Sequence, residues 1–288
     1  MRTEQEMIQL NRTQAEYYDK IEQAADENAS NTYAQNERAN WMTRIWALLR
    51  TTHQKAVIAT GIDADVRKMQ LEWFTERRGG RFLEIGCHHG GDYTFDLIDT
   101  SSEYVGIELS PAACVALKRK VAEYGAAGKA TIVCGDFLEF NPGYKFDLIY
   151  AHGVLHHFEN PDPLFARIRQ LIADGGLLIF VEPAAINPVY QFLRQLYRPF
   201  QSDAAWEWPF RKETVRQLQR RFEITGGVGW GRYSAPLSLM CGLPVIGQRL
   251  MLPFYKWVAL REVTPYSETS YWLSSYVVAK CRPVRKLV

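Results

Sequence analysis

The spacing of apolar and polar positions changes twice along the chain. Up to about residue 78, apolar side chains recur at helical intervals, as in Trp41, Ile45, Leu48 and Leu49, and again in Val66, Met69 and Trp73. That is the rhythm of helices burying one face. From Arg81 the pattern becomes short apolar runs near 81–86, 103–108, 130–134, 145–151 and 176–182, separated by stretches of helical period. Such alternation predicts parallel strands buried on both faces and joined by crossover helices. Ser110-Pro111 and Asp162-Pro163 read as helix starts, a capping side chain followed by a residue that needs no N–H partner. Gly79-Gly80 reads as the stop before the first strand and Gly175-Gly176 as the end of the later helix. Beyond Glu182-Pro183 the chain turns rich in Pro, Tyr, Trp and Phe over 184–210, then resumes an amphipathic helix over 211–221. Two late strands, 222–228 and 271–280, flank an apolar, proline-broken segment at 233–265.

These elements predict a doubly wound α/β fold with a seven-stranded, mostly parallel sheet. The expected division is a helical cap over 1–78, a core over 79–183 and 211–288, and lid insertions over 184–210 and 230–268. At 288 residues and 47% hydrophobic, the chain can bury one large core. A formal charge of +2 with no long Lys/Arg run argues against a nucleic-acid partner. Cys87, Cys114, Cys134, Cys241 and Cys281 show no CxxC spacing, as expected in a reducing compartment. The N-terminus has no apolar signal region, and the longest uncharged run, Tyr233 to Gln248, is too short and broken to span a bilayer. The expectation is a cytoplasmic protein.

Chemistry concentrates at the strand ends. Phe82-Leu83-Glu84-Ile85-Gly86-Cys87-His88-His89-Gly90-Gly91-Asp92 is a strand, a glycine-punctuated turn and a helix start. Glu108 follows Tyr104-Val105-Gly106-Ile107, and Asp136 follows Ile132-Val133-Cys134-Gly135, so acids recur at successive strand ends. Phe146 through Ala151-His152-Gly153-Val154-Leu155-His156-His157 leads into a proline-started helix, Gly175-Gly176 and Glu182-Pro183. Together these stretches resemble the class I S-adenosylmethionine-dependent methyltransferases, small-molecule type, including those of quinone biosynthesis. The first motif departs at its middle glycine position, which is His88. The resemblance covers about 81–182 by motif and 211–281 by layout.

That resemblance implies a cofactor, S-adenosylmethionine, held by Glu84, Gly86, Cys87, His88 and Gly90, with Glu108 and Leu109 at the ribose. Asp136 and Phe137 would meet the adenine, and the backbone at Ala151 the methionine amine. Tyr17, in Tyr17-Tyr18-Asp19, would belong to a helix folded over the cofactor. For catalysis His152 is the first candidate as general base, His156 the second and Glu182 the third, since imidazole titrates near neutrality. Clustered histidines also suit a transition metal, but no ligand spacing supports one, and none is expected. A nicotinamide dinucleotide is the rival cofactor. Gly86-x-His88-x-x-Gly91 with Glu108 downstream is a damaged copy of its fingerprint, and His88 sits where bare backbone meets the pyrophosphate. A fold that binds without catalysing is the other alternative. The aromatic insertions, with Tyr190, Trp206, Trp208, Trp230, Phe254 and Trp257, suit a small aromatic or hydrophobic acceptor, or else a homodimer face. Leu250 to Leu260 with Arg249, Lys256 and Arg261 suits weak peripheral membrane contact, though Pro253 argues against a helix there.

Overall fold

The computed structural model describes residues 4–27, 41–200, 204–241 and 246–284. Residues 28–40 of the expected cap, and 201–203 and 242–245 of the expected lid insertions, lie outside the described residues. Strands β1 (Arg81–Ile85), β2 (Glu103–Glu108), β3 (Ala130–Cys134), β4 (Phe146–His152) and β5 (Ile172–Pro183) form the parallel part of one sheet. β6 (Phe222–Trp230), β7 (Thr264–Pro265) and β8 (Tyr276–Pro283) complete it in the order β3-β2-β1-β4-β5-β8-β6-β7. β8 runs antiparallel between β5 and β6. Seven long strands match the expectation, and the two-residue β7 extends the edge.

Alternate residues of each strand face opposite cores, the pleat's period of two. Phe82, Tyr104, Leu148, Tyr150 and Ile179 pack on one side with α3 (Ile62–Thr75), α4 (Asp92–Thr100) and α5 (Pro111–Glu123). Leu83, Val105, Ile149, Leu178 and Phe180 pack on the other with α6 (Pro161–Leu171) and α8 (Lys212–Gln219). α1 (Glu4–Glu27) and α2 (Trp41–Ile58) precede the sheet. α7 (Pro188–Tyr197), α9 (Ser234–Met240) and α10 (Leu252–Arg261) lie in the late insertions.

Four boundaries differ from expectation. α6 is capped by Asn160, whose side chain accepts from the Asp162 amide at 3.1 Å, with Pro161 in the first turn. Gly175-Gly176 lies inside β5, because α6 already ends at Leu171. A Cβ on Gly176 would stand 2.7 Å from Ile172 Cγ1, 3.0 Å from the Ala173 carbonyl and 3.1 Å from the Asp147 carbonyl of β4, so crowding within β5 and beside β4, not helix termination, calls for glycine there. Pro253 does not break the helix: a π-helical turn, Gly247–Met251, runs directly into α10 with Pro253 as its second residue, and such a turn accommodates a missing N–H. The last strand begins at Tyr276; Tyr271–Leu273 is a short helical turn before it.

Candidate active site

Strand order reverses between β1 and β4, where diverging loops leave a crevice at the carboxyl ends of a parallel sheet. The turn after β1 has left-handed backbone at Gly86 (φ 69°), His88 (φ 46°) and Gly90 (φ 79°). Glycine takes this conformation without steric penalty, and His88 bears it at a cost on the order of 1 kcal/mol. A Cβ on Gly86 would stand 2.6 Å from Val154 Cγ2, so the turn packs against the β4 loop with no room for a side chain. The His88 N–H donates to Glu108 Oε2 at 2.9 Å. It is therefore not presented toward the crevice as a pyrophosphate would need.

Glu108 is buried at the end of β2 and also accepts the Leu109 and Ser110 amides at 2.8 and 2.9 Å. An ionised carboxylate has about four acceptor positions, so three amides leave one for a ligand hydroxyl. Burial raises its pKa while the three amides lower it, and burial prevails. Glu84 on β1 accepts from Tyr104 Oη at 2.6 Å and Thr94 Oγ1 at 3.2 Å. Burial lifts its pKa to about 7 against those two hydrogen bonds. Asp136, past β3, accepts from the Leu138 amide at 2.8 Å and from Asn11 Nδ2 at 2.7 Å. Phe137 is buried beside it, edge-on to Phe158 at 6.2 Å. Cys87 and Ala151 are buried under the same crevice, and Leu109 is half-buried at its rim. The expected cofactor residues from Glu84 to Ala151 thus gather at one end of the sheet.

Helix α1 closes over this end. Asp19 accepts from Ser110 Oγ and from the Ala112 amide (3.0 Å), placing a carboxylate at the N-terminus of α5, where the helix dipole favours it. Tyr18 Oη meets His157 Nε2 at 3.3 Å, and His89 Nδ1 bonds Glu22 Oε2 at 2.7 Å. Among the described residues, Glu22, His88 and His89 are the group whose possible ligand atoms come within 4.8 Å of one another. The Glu22–His89 hydrogen bond already ties α1 to the glycine turn. The Tyr17 ring lies edge-on to Trp206, 5.3 Å away. Asn11 and Glu22 were not singled out by motif. Their only signal was the spacing of Asn11, Tyr18 and Glu22 along one helix face.

On the β4 side the histidines separate by environment. His152 is solvent-accessible at the strand tip, with Nδ1 3.3 Å from Tyr150 Oη and its ring edge-on to Tyr93 at 5.5 Å. Surrounding protein lowers its pKa, against the pull of Glu182. His156 is buried, with Nδ1 2.6 Å from Glu182 Oε2 and Nε2 3.8 Å from Glu207 Oε1. Burial alone would lower its pKa, but Glu182 and Glu207 outweigh burial and hold it at about 9. Glu182 is fully buried and also accepts the Val154, Leu155 and His156 amides at 3.0, 2.7 and 3.3 Å. Four partners use all of its acceptor positions. Arg194 on α7 bonds Glu207 in turn, and burial with the His156 cation beside it lowers the pKa of His157 to about 3. His156 and Glu182, expected as further candidates for base, are therefore engaged with each other and with the β4 loop.

Residues 83–178, from β1 to β5, match the family model described as a methyltransferase domain. The match covers about a third of the chain and, with the sheet order, supports a methyltransferase domain over this stretch. In fold the chain is similar to the geranyl diphosphate C-methyltransferase of Streptomyces coelicolor A3(2), at 14% identity and TM-score 0.52, over 77% of this chain and 80% of that one. It is also similar to a protein of Galdieria sulphuraria described as a sarcosine dimethylglycine methyltransferase, at 13% identity and TM-score 0.51, over 74% and 85%. Comparison with curated proteins found no match. No helix among the described residues is long and apolar enough to cross a membrane.

Proposed function

We propose that the protein transfers a methyl group from S-adenosylmethionine to oxygen or carbon of a small aromatic or hydrophobic acceptor. The observation that carries this is the state of Glu108. Its carboxylate is fixed by three amides and keeps one acceptor position facing the crevice. A ribose hydroxyl fits that position. Asp136 and the buried Phe137 supply an acceptor and an apolar wall for adenine at the next strand end. A sulfonium-bearing nucleoside also suits a crevice rimmed by Glu84, Glu108 and Asp136 better than a pyrophosphate does.

When bound, S-adenosylmethionine would supply an electrophilic methyl group on a positively charged sulfur. The protein's part is alignment, holding the acceptor atom in line with that methyl, and exclusion of water. The lid residue Trp206, packed on Tyr17, contributes to the second. His152 is proposed as the base that takes the acceptor's proton. Its lowered pKa keeps the imidazole neutral near pH 7, and in the tautomer that donates Nδ1–H to Tyr150 Oη, 3.3 Å away, Nε2 carries the lone pair a base needs. His156 and Glu182 are proposed as positioning residues that hold the loop carrying Val154.

The test is calorimetric titration with S-adenosylhomocysteine, followed by radiolabelled methyl transfer to a panel of phenolic and isoprenoid acceptors. His152→Ala is expected to reduce kcat about 10²-fold with S-adenosylhomocysteine affinity unchanged. Absence of S-adenosylhomocysteine binding would overturn the reading, and an undiminished kcat would remove His152 as base.

A further inference from the structure

The late insertions turn a large apolar surface outward. On α7, Val189, Phe192 and Leu196 are exposed at intervals of three and four, one continuous helical stripe. On and before α10, Leu250, Phe254, Trp257 and Leu260 repeat the arrangement, with Leu250 66% and Trp257 53% accessible. Phe254 stacks on Trp257 at 6.1 Å, and the Arg261 guanidinium lies 4.3 Å over the Trp257 ring. α2 packs on α9 and α10, and the Arg198–Phe200 turn after α7 packs on α2. α7 leaves the carboxyl end of β5 and α9 that of β6, so these elements stand at the end of the sheet that holds the site.

Charge decides what fits this surface. Residues 41–58, 188–200 and 233–261 contain eight Lys and Arg and no Asp or Glu, in a chain where 32 of 288 residues are acidic. Arg194 is taken by Glu207, while Arg249 and Arg261 are exposed beside the aromatic stripe. The acid that follows α10, Glu262, is buried and turned inward onto Ser234 and the Tyr233 amide. Exposed Trp, Phe and Leu flanked by cations, with acids excluded, is the composition of a helix lying in the interface of an anionic bilayer. Large apolar side chains grouped on one helix face and turned to water mark an interaction surface.

We infer that the α7 and α10 faces dock the protein on the surface of an anionic phospholipid bilayer, with Phe254 and Trp257 entering the headgroup region and Arg249 and Arg261 meeting lipid phosphates. The inference stands on surface composition and does not require methyl transfer.

Co-sedimentation of the full chain with phosphatidylcholine vesicles, with and without phosphatidylglycerol, tests it. Binding is expected to phosphatidylglycerol vesicles and to weaken with salt. Each cation near such a surface contributes about fivefold in binding, so Arg249→Ser with Arg261→Ser should weaken it roughly 20-fold. Phe254→Ser with Trp257→Ser should abolish it, with circular dichroism and melting temperature of both variants as checks of folding. Failure to sediment with phosphatidylglycerol vesicles would overturn the inference, as would binding indifferent to the arginine pair. So would a solution dimer, seen by light scattering, that Trp257→Ser dissolves; that result would assign the face to a second copy. Methyl transfer enters none of these readouts.

Discussion

Glu182→Gln separates a structural carboxylate from a catalytic one. In the folded chain Glu182 accepts from three amides of the β4 loop and from His156 Nδ1, at 2.6–3.3 Å. Glutamine keeps the shape but sets an NH2 donor where a carboxylate oxygen was, facing N–H groups. Removing one partner of a buried ion pair costs about 3–5 kcal/mol, because the other is left charged without compensation. For a chain of this size that is a fall in Tm of roughly 10 °C. The pair also has a signature in pH. His156 is held at about 9 in the folded state against an ordinary 6.5, a difference equivalent to about 3 kcal/mol. The folded state binds the extra proton, so this stabilisation is whole below pH 6.5 and is lost as pH rises through about 9. Glu84, whose pKa is lifted to about 7, titrates in the lower part of that window and adds a decline of its own, common to wild type and variant. Urea unfolding midpoints from pH 6.5 to 9.5 should therefore decline in the wild type and decline less steeply in Glu182→Gln, where the fall that remains comes from Glu84 and from the thiols of Cys87, Cys114, Cys241 and Cys281, which burial holds neutral in the fold. An unchanged midpoint with collapsed turnover would make Glu182 catalytic. An unchanged pH slope in the variant would show that His156 is not the titrating group.

Asp136→Ala should weaken S-adenosylhomocysteine binding by about 1–3 kcal/mol, the value of a hydrogen bond to a charged group; unchanged affinity by calorimetry would remove it from the cofactor site. Gly86→Ala combines a left-handed backbone with a Cβ 2.6 Å from Val154 Cγ2. It should cost at least about 2 kcal/mol in urea unfolding, and a neutral result would mean that the turn after β1 is free to adjust.

The sheet was legible because each parallel strand is an apolar run closed by an acid or a histidine, as in Tyr104 to Glu108 and Phe146 to His152. Local spacing carries that information. It failed where one residue type serves two purposes. Gly175-Gly176 has the composition of a helix stop, yet Gly176 is crowded by Ile172 and Ala173 of its own strand and by the Asp147 carbonyl of β4. Pro253 looks like a breaker until the π-helical turn that runs into α10 just before it is known. The rim acids were found at strand ends, but their division of labour was not, because it depends on amides from other strands. Glu182 reaches a loop 26–28 residues earlier, a pairing no local pattern encodes. Asn11 and Glu22 went unnoticed for the same reason: their partners, Asp136 and His89, lie more than 60 residues away.

The acids on either side of the crevice follow one rule with two outcomes. β1 and β4 are adjacent at the point of reversal, with β2 outside one and β5 outside the other. Glu108, from β2, reaches inward to the amide of His88 in the β1 turn; Glu182, from β5, reaches inward to the amides of Val154 and Leu155 in the β4 loop. Loops leaving a parallel sheet carry N–H groups that the ladder no longer satisfies, and a carboxylate on the neighbouring strand supplies acceptors in a place water does not reach. Val154 packs against Gly86, so the two held loops also brace each other across the crevice. What distinguishes the two carboxylates is occupancy. The His156 imidazole takes the fourth position on Glu182, whereas among the described residues three amides are the hydrogen-bond partners of Glu108. On the proposed function, a histidine following the β4 loop commits Glu182 to holding that loop, while Glu108 keeps an acceptor for the ribose.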